Sequence, residues 1–461
     1  MAHGARILDA VVTASGQQTE GMAATAPLSD ARGVKITQQQ LEALIAAHQQ
    51  FLANRADAPR LDLCGRNVTG LDFSHHNLTL SDFSRADLSG SNFRGCDMAN
   101  ANLFGAAMID SNFASANLIN SDLRGVGLQN ADLRSANLRG ADLRQGMVED
   151  EHGNRHFVGS NLRFADLRGA NLTDILAHGV DLSASDLSNA RLNNAELNDC
   201  NLRAANLENS DLTGTNLSGS NLQGVDLTGA ILDRIDLTGA DLTAAIMEGA
   251  RIRRTDLTRA RQSEQLVDIE ADLRSILHEH QRWIESLGRV GRRADLARHD
   301  LTEIGLNGAE LSAAIMTLCL LKSGRLDRAN LAMADLSSSN APEMSAISAD
   351  LRGTVFSEAN LRRARFDRAD CSPLQVKRPE GTLTCEADFA GANLSDASFA
   401  HADLQGVNFA GTILRRANLQ DADLTGANLR GADLTGALFD GIRLDGADTT
   451  GAIGIPDAYL D

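Results

Sequence analysis

Aromatic side chains other than phenylalanine are almost missing from this 461-residue chain, which has one tryptophan and one tyrosine. That removes the stacking platforms on which proteins hold bases and sugars. Proline is scarce, at six residues, as suits a chain whose N–H groups are wanted for a backbone ladder. No apolar run approaches the roughly 20 residues of a membrane-spanning helix. The stretch Ile7, Leu8, Val11 and Val12 is short and broken by Asp9, a poor signal-peptide core. A soluble, cytoplasmic protein is expected. There is no Walker loop, dinucleotide fingerprint or nucleophile elbow. No catalytic residue, no cofactor and no bound metal are expected.

What is there is a period of five. Ala131-Asp132-Leu133, Ala136-Asn137-Leu138 and Ala141-Asp142-Leu143 recur downstream as Ala422-Asp423-Leu424, Ala427-Asn428-Leu429 and Ala432-Asp433-Leu434. Five fits neither a helix nor a plain strand. Each unit has one large apolar residue and, two positions earlier, one small one. The other three positions are polar. That pattern buries two side chains of five, a short extended face followed by a corner. Glycine, 40 residues in all, suits such corners. The chain reads as a repeat solenoid whose work is done by a surface rather than a pocket. Phe73, Phe93 and Phe113 are twenty apart, as are Phe389 and Phe409. A turn of twenty residues would stack each set on one face. The large inward positions include Leu63, Leu133, Leu138 and Leu143, then Leu217, Leu222, Leu331 and Leu336, then Leu424 and Leu429.

These units resemble the pentapeptide repeat family, whose motif is Ala-(Asp/Asn)-Leu-x-x, in a tandem-duplicated, helix-containing bacterial form. The resemblance implies an all-β solenoid, a right-handed quadrilateral β-helix of four repeats per coil. Coils stacked at about 4.8 Å would give a length of roughly 75–80 Å over about 16 coils. It also implies an interior too narrow for a ligand.

Residues 1–34 lack the repeat and are expected to be a disordered tail. A helix should follow. Thr37 and Gln40 make a capping box, and Leu41, Leu44, Ile45, His48, Phe51 and Leu52 share a face. A second helix is expected mid-chain, capped by Ser263, with a stripe of Leu266, Ile269, Leu273, Ile276, Leu277, His280, Trp283 and Ile284. His48-Gln49-Gln50-Phe51-Leu52 matches His280-Gln281-Arg282-Trp283-Ile284. Each helix precedes a repeat block, and each block is interrupted once, at 144–156 and at 372–387, by what reads as a β-hairpin. Repeats resume at about Phe157 and Phe389. The predicted organisation is a duplication, with halves at 35–262 and 263–450 and a C-terminal tail at 451–461. Residues 312–326 and 340–347 keep the period poorly and predict an irregular coil. An open β-helix end exposes unpaired strand groups. The helices are therefore expected to cover the first coil of each half, with Phe51 and Trp283 buried in equivalent places.

The net charge is −18, concentrated in residues 144–257 and 372–461. It disfavours direct nucleic-acid binding and an anionic membrane surface. It favours a basic protein partner, which the sequence does not name. Cys96, Cys200 and Cys319 take the small inward slot and Cys371 the large one, as buried hydrophobes in a reducing compartment. Cys371 and Cys385 flank the second interruption, where a disulfide or metal site is the lesser alternative. Asp150, Glu151, His152 and His156 could ligate zinc, but an exposed polar tip explains them as well. His278 and His280 point to different sides of their helix. The leading reading is a non-catalytic scaffold or protein-interaction module. The alternative, implied by the resemblance, is a DNA-mimicking regulator or protector of DNA gyrase or topoisomerase. DNA carries about one charge per 1.7 Å, so a mimic of this length would need roughly −45. Outward arginines at 124, 134, 139, 352, 362 and 363 also weaken that alternative.

Overall fold

Residues 35–55, 58–149, 155–262, 269–378 and 381–459 are described in the computed structural model. The tail expected at 1–34, the Ser263 cap, Leu266 and His152 lie outside the described residues. So do the side chains of His156 and Ile269. The elements in chain order are α1 (Gln38–Leu52), β1 (Gly146–Glu149), β2 (Arg155–Val158), β3 (Ile231–Asp233), β4 (Asp241–Leu242), β5 (Arg251–Arg253), β6 (Arg261–Gln262), α2 (Ile269–Glu285), β7 (Leu374–Arg378) and β8 (Gly381–Cys385).

Most of the chain lies between these elements and is held by single parallel bridges. Residues twenty apart are joined: Asp62 to Asp82, Asp82 to Asn102, and later Asp295 to Ile315 and Ile315 to Asp335. Four repeats therefore complete one coil, and the next coil lies against it. The Leu63 N–H donates to the Asp82 carbonyl at 2.7 Å, and the Asp82 N–H returns to Leu61 at 3.0 Å. Two short pairs, β3 with β5 and β4 with β6, are parallel and keep the same offset.

The corner between faces is a turn. The carbonyl of the large inward residue accepts from the N–H three positions on, as Leu63 does from Arg66 at 3.1 Å. Such a turn needs a left-handed third residue. Gly70 supplies it at φ 68°, but Leu80 adopts φ 66° with a full side chain. That costs roughly 1–2 kcal/mol.

The chain divides into two compact units. The first is Met1–Asn221, Leu227–Ala240 and Met247–Ala260; the second is Leu222–Asp226, Asp241–Ile246 and Arg261–Asp461. In the first, Phe93 lies between Phe73 (ring centroids 4.3 Å) and Phe113 (4.7 Å), nearly parallel to both. Phe83 meets Phe73 and Phe93 edge-on. In the second unit Phe389 lies between Phe356 and Phe409, with Phe366 and Phe399 edge-on. Leu63, Leu133, Leu138, Leu143, Leu217, Leu222, Leu331, Leu336, Leu424 and Leu429 are all buried.

The interruptions carry antiparallel pairs. β1 pairs with β2, Met147 opposite Phe157, and β7 pairs with β8, Val376 opposite Leu383. Phe157 does not restart the repeat: it lies in β2 and is exposed. Leu143 and Leu162 already fill successive faces, because Asp142 bridges Asp122 and Asn161 bridges Gly127. No inward slot is left for Phe157. The irregular coil predicted at 312–326 and 340–347 is not found either. Bridges continue through Leu320–Asn340 and Arg325–Ser345. Here the large slots hold only Ala341 and Ala346, while the small slot holds Met344, and all three are fully buried. The large and small residues have traded places, so the volume is kept although the pattern is not.

Candidate functional site

The most distinctive constellation is repeated, once at each helix. α1 begins with the expected capping box: the Gln40 N–H donates to the Thr37 hydroxyl, and the Thr37 N–H donates to the Gln40 side chain. The helix then closes the open edge of the first coil with amide side chains. Gln38 donates to the Asp72 carbonyl at 2.8 Å and accepts from the Asp72 N–H at 3.0 Å. Its amide thus takes the place of a neighbouring strand. Gln49 donates to the Asn77 carbonyl at 2.7 Å.

Below these lies His48, fully buried with Leu41, Leu44 and Ile45. Its Nδ1 accepts from the Leu61 N–H at 3.1 Å. A backbone N–H can only donate, so Nδ1 is unprotonated and Nε2 carries the hydrogen. Nε2 faces the Thr79 carbonyl at 3.1 Å and the Ser81 hydroxyl at 3.2 Å. α2 repeats the arrangement. His280 is fully buried, and its Nδ1 accepts from the Ala294 N–H at 3.0 Å. Its Nε2 has no hydrogen-bond partner among the described residues. Burial pulls both imidazoles below their ordinary value, partly opposed by the Thr79 carbonyl at His48 and by the Glu310 carboxylate at His280.

The aromatic positions differ from the expectation. Phe51 and Trp283 are only half-buried. Each stacks on its histidine at 5.7 Å and 16°. The buried place went to histidine because the first coil presents an N–H that needs an acceptor. A phenyl ring would leave that donor unsatisfied, at a cost of about 1–3 kcal/mol. The shared His-Gln-x-aromatic stretch carried the signal, but only the packing separates its two rings.

The outer rows of Asp and Asn are the second feature. Most turn back on their own repeat, accepting the N–H two residues on, as Asp72 does from Ser74 at 2.9 Å and Asp132 from Arg134 at 3.1 Å. Asparagines also tie coils together: Asn92 donates to Asp72 at 3.0 Å and Asn206 to Asp186 at 2.7 Å. The Ser74 N–H holds the Asp72 carboxyl below its ordinary value. Where the repeat reads Asp-Leu-Arg, the guanidinium grips its own aspartate with two bonds. Arg124 holds Asp122 at 2.9 and 2.6 Å, and Arg352 holds Asp350 at 2.9 and 2.6 Å. Each also reaches the next coil, Arg124 to Asp142 at 3.8 Å and Arg352 to Asp370 at 3.6 Å. Arg124 and Arg352 are thus paired in place.

All six cysteines are free thiols. Burial pushes Cys96, Cys200 and Cys319 up to about 12. Among the described residues, no group of three or more His, Cys, Asp or Glu is placed to hold a metal ion. Of the first interruption's polar tip, Asp150, Glu151 and His152 lie outside the described residues. No described helix is long and apolar enough to cross a membrane.

Comparison with known proteins adds the family. No curated protein matches the chain. Solved structures similar to it include QnrB1, a plasmid-mediated fluoroquinolone resistance protein, at 19% identity over 50% of this chain and 99% of that one, with a TM-score of 0.30. Rfr23, a pentapeptide repeat protein from the cyanobacterium Cyanothece 51142, is 27% identical over 30% of this chain and 88% of its own, with a TM-score of 0.20. HetL from Nostoc, a pentapeptide repeat protein involved in regulating heterocyst differentiation, is 21% identical over 89% and 95%, with a TM-score of 0.13. The family model described as pentapeptide repeats matches residues 81–114, 108–145, 156–174, 181–219, 220–259, 347–372, 386–421 and 412–451. These stretches make up more than half of the sequence, and the chain belongs to the pentapeptide repeat family.

Proposed function

We propose that this protein is a non-catalytic scaffold that binds another protein along its polar faces. In this reading the coils wind as a right-handed quadrilateral β-helix in two tandem halves, 35–262 and 263–450. The helices cover their first coils, and the antiparallel pairs are hairpins standing out from the faces. The observation that carries the reading is the fixed register of the outer rows. Asp, Asn and Arg side chains are held by their own repeat and by the next coil, as at Asp122, Arg124 and Asp142. Side chains ordered before contact lose little entropy on binding, so such a row suits recognition of an extended, complementary surface. The self-pairing of Asp with Arg also supports a protein partner over mimicry of DNA, whose phosphates stand unneutralised.

The test is capture of partners from a bacterial lysate by the intact chain, compared with a variant carrying Arg124→Glu, Arg134→Glu and Arg144→Glu. A partner retained by the natural chain, released by salt and lost in the folded variant supports the reading. Equal capture by both chains counts against it, as does protection of gyrase by the natural chain at low micromolar concentration.

A further inference from the structure

We propose that α1 and α2 are acid-released covers: protonation of His48 and His280 detaches each helix from the first coil of its repeat block. The Nδ1 contact is the same at both. A fully buried imidazole accepts one backbone N–H of the coil through Nδ1, from Leu61 at 3.1 Å and from Ala294 at 3.0 Å. A proton on Nδ1 would turn that acceptor into a donor facing a donor. It would also place a charge where water does not reach. The ring can accept the proton only by leaving the coil, and it sits mid-helix, so the helix leaves with it.

At His48 the Thr79 carbonyl favours the charged ring, but burial outweighs it. The charged group acting on it is Arg60, which opposes protonation. At His280, Arg293 opposes it and Glu310 favours it, with burial the larger effect. His280 also lacks a companion that His48 has. Ser81 places a hydroxyl beside His48, whereas the corresponding residue beside His280 is the buried Ala314. α2 is therefore the looser of the two covers. His278 is exposed on the same helix and takes no part.

The sign follows from the direction of the shift. The docked histidine holds its proton less tightly than the released one. Docking is thus at full strength above the ordinary value of about 6.5 and weakens as pH falls below it. Over that window each pH unit raises the released fraction about tenfold per histidine, until the buried value is reached.

Trp283 is the only tryptophan and stacks on His280, so its accessibility to iodide reports α2 in the intact chain. The expected result is a reversible rise in iodide quenching between about pH 7 and about pH 4.5, around the ordinary histidine value. Hydrogen exchange should show residues 38–52 and 269–285 losing protection over the same range while the coils keep theirs. His280→Gln retains an acceptor that does not titrate. It should abolish the pH response of Trp283, whereas His278→Gln and His48→Gln should leave it. Quenching that stays flat to about pH 4.5 in the natural chain, or an unchanged response in His280→Gln, overturns the proposal. Should His280→Gln not fold, exchange in the natural chain decides: helices and coils losing protection together would overturn it equally.

Discussion

Phe93 gives the sharpest test of how the coils are held together. It is fully buried, with Phe73 stacked at 4.3 Å on one side, Phe113 at 4.7 Å on the other and Phe83 edge-on at 5.8 Å. Truncation by Phe93→Ala removes a ring from three ring contacts and leaves a cavity in an interior that cannot collapse. The backbone there is pinned by the bonds from Phe73 N–H to Asn92 at 2.8 Å and from Phe93 N–H to Asn112 at 2.6 Å. Large-to-small changes of this kind cost about 3–5 kcal/mol, and lost stacking pushes the value toward the upper end. The neighbouring Asn92→Ala removes two bonds at the surface, one from Arg94 N–H and one to Asp72. Such exposed bonds are worth about 0.5–1.5 kcal/mol each. Repeat arrays do not reliably unfold in one step, and Trp283 belongs to the other unit. Hydrogen exchange over residues 61–145 is therefore the assay. A loss of about 4 kcal/mol appears as a roughly thousandfold rise in amide opening. Similar effects of the two substitutions, or less than a tenfold change for Phe93→Ala, would show that the phenylalanine stack does not hold these coils.

Three further outcomes are expected. Ala341→Leu alone should overpack its coil by about 1–3 kcal/mol, and adding Met344→Ala should recover much of that. A strictly additive double-mutant cycle by thermal unfolding would contradict the exchange of large and small slots. Leu80→Gly should stabilise the first unit by about 1 kcal/mol, because glycine relieves the left-handed strain of an exposed leucine; destabilisation in hydrogen exchange would place Leu80 in the packing instead. Acid should also unfold the coils themselves, in a range separate from helix release. Arg416 holds the Asp396 carboxyl below its ordinary value, and Arg144 does so for Asp142 despite opposing burial. A depressed carboxyl stabilises above the unfolded value of about 3.8 and loses that contribution as pH falls through the folded one. Hydrogen-exchange protection of the coil amides, corrected for the intrinsic pH dependence of exchange, should hold to about pH 4 and fall below it, with Asp396→Asn shallower than the natural chain; loss of coil protection near pH 6 would contradict this.

Much of the architecture follows from spacing alone. The five-residue unit, the twenty-residue offset of Phe73, Phe93 and Phe113, and the two interruptions are one-dimensional facts, because a repeated chain contacts mainly its own neighbours. The capping box of Thr37 and Gln40 was legible for the same reason: both partners lie within one turn. Other features were decided in three dimensions. Position along a helix stripe says that His48, Phe51, His280 and Trp283 face inward. It does not say which ring meets the N–H of Leu61 or Ala294. Composition says that Asp and Asn line the outside. Only the folded corner shows that most are bound to their own backbone, as Asp72 is to Ser74, and that Arg124 and Arg352 are bound to such carboxylates. At 340–347 the sequence pattern fails while the coil persists. Packing responds to the volume of Ala341, Met344 and Ala346 together, a sum over neighbours that no single position in the sequence displays.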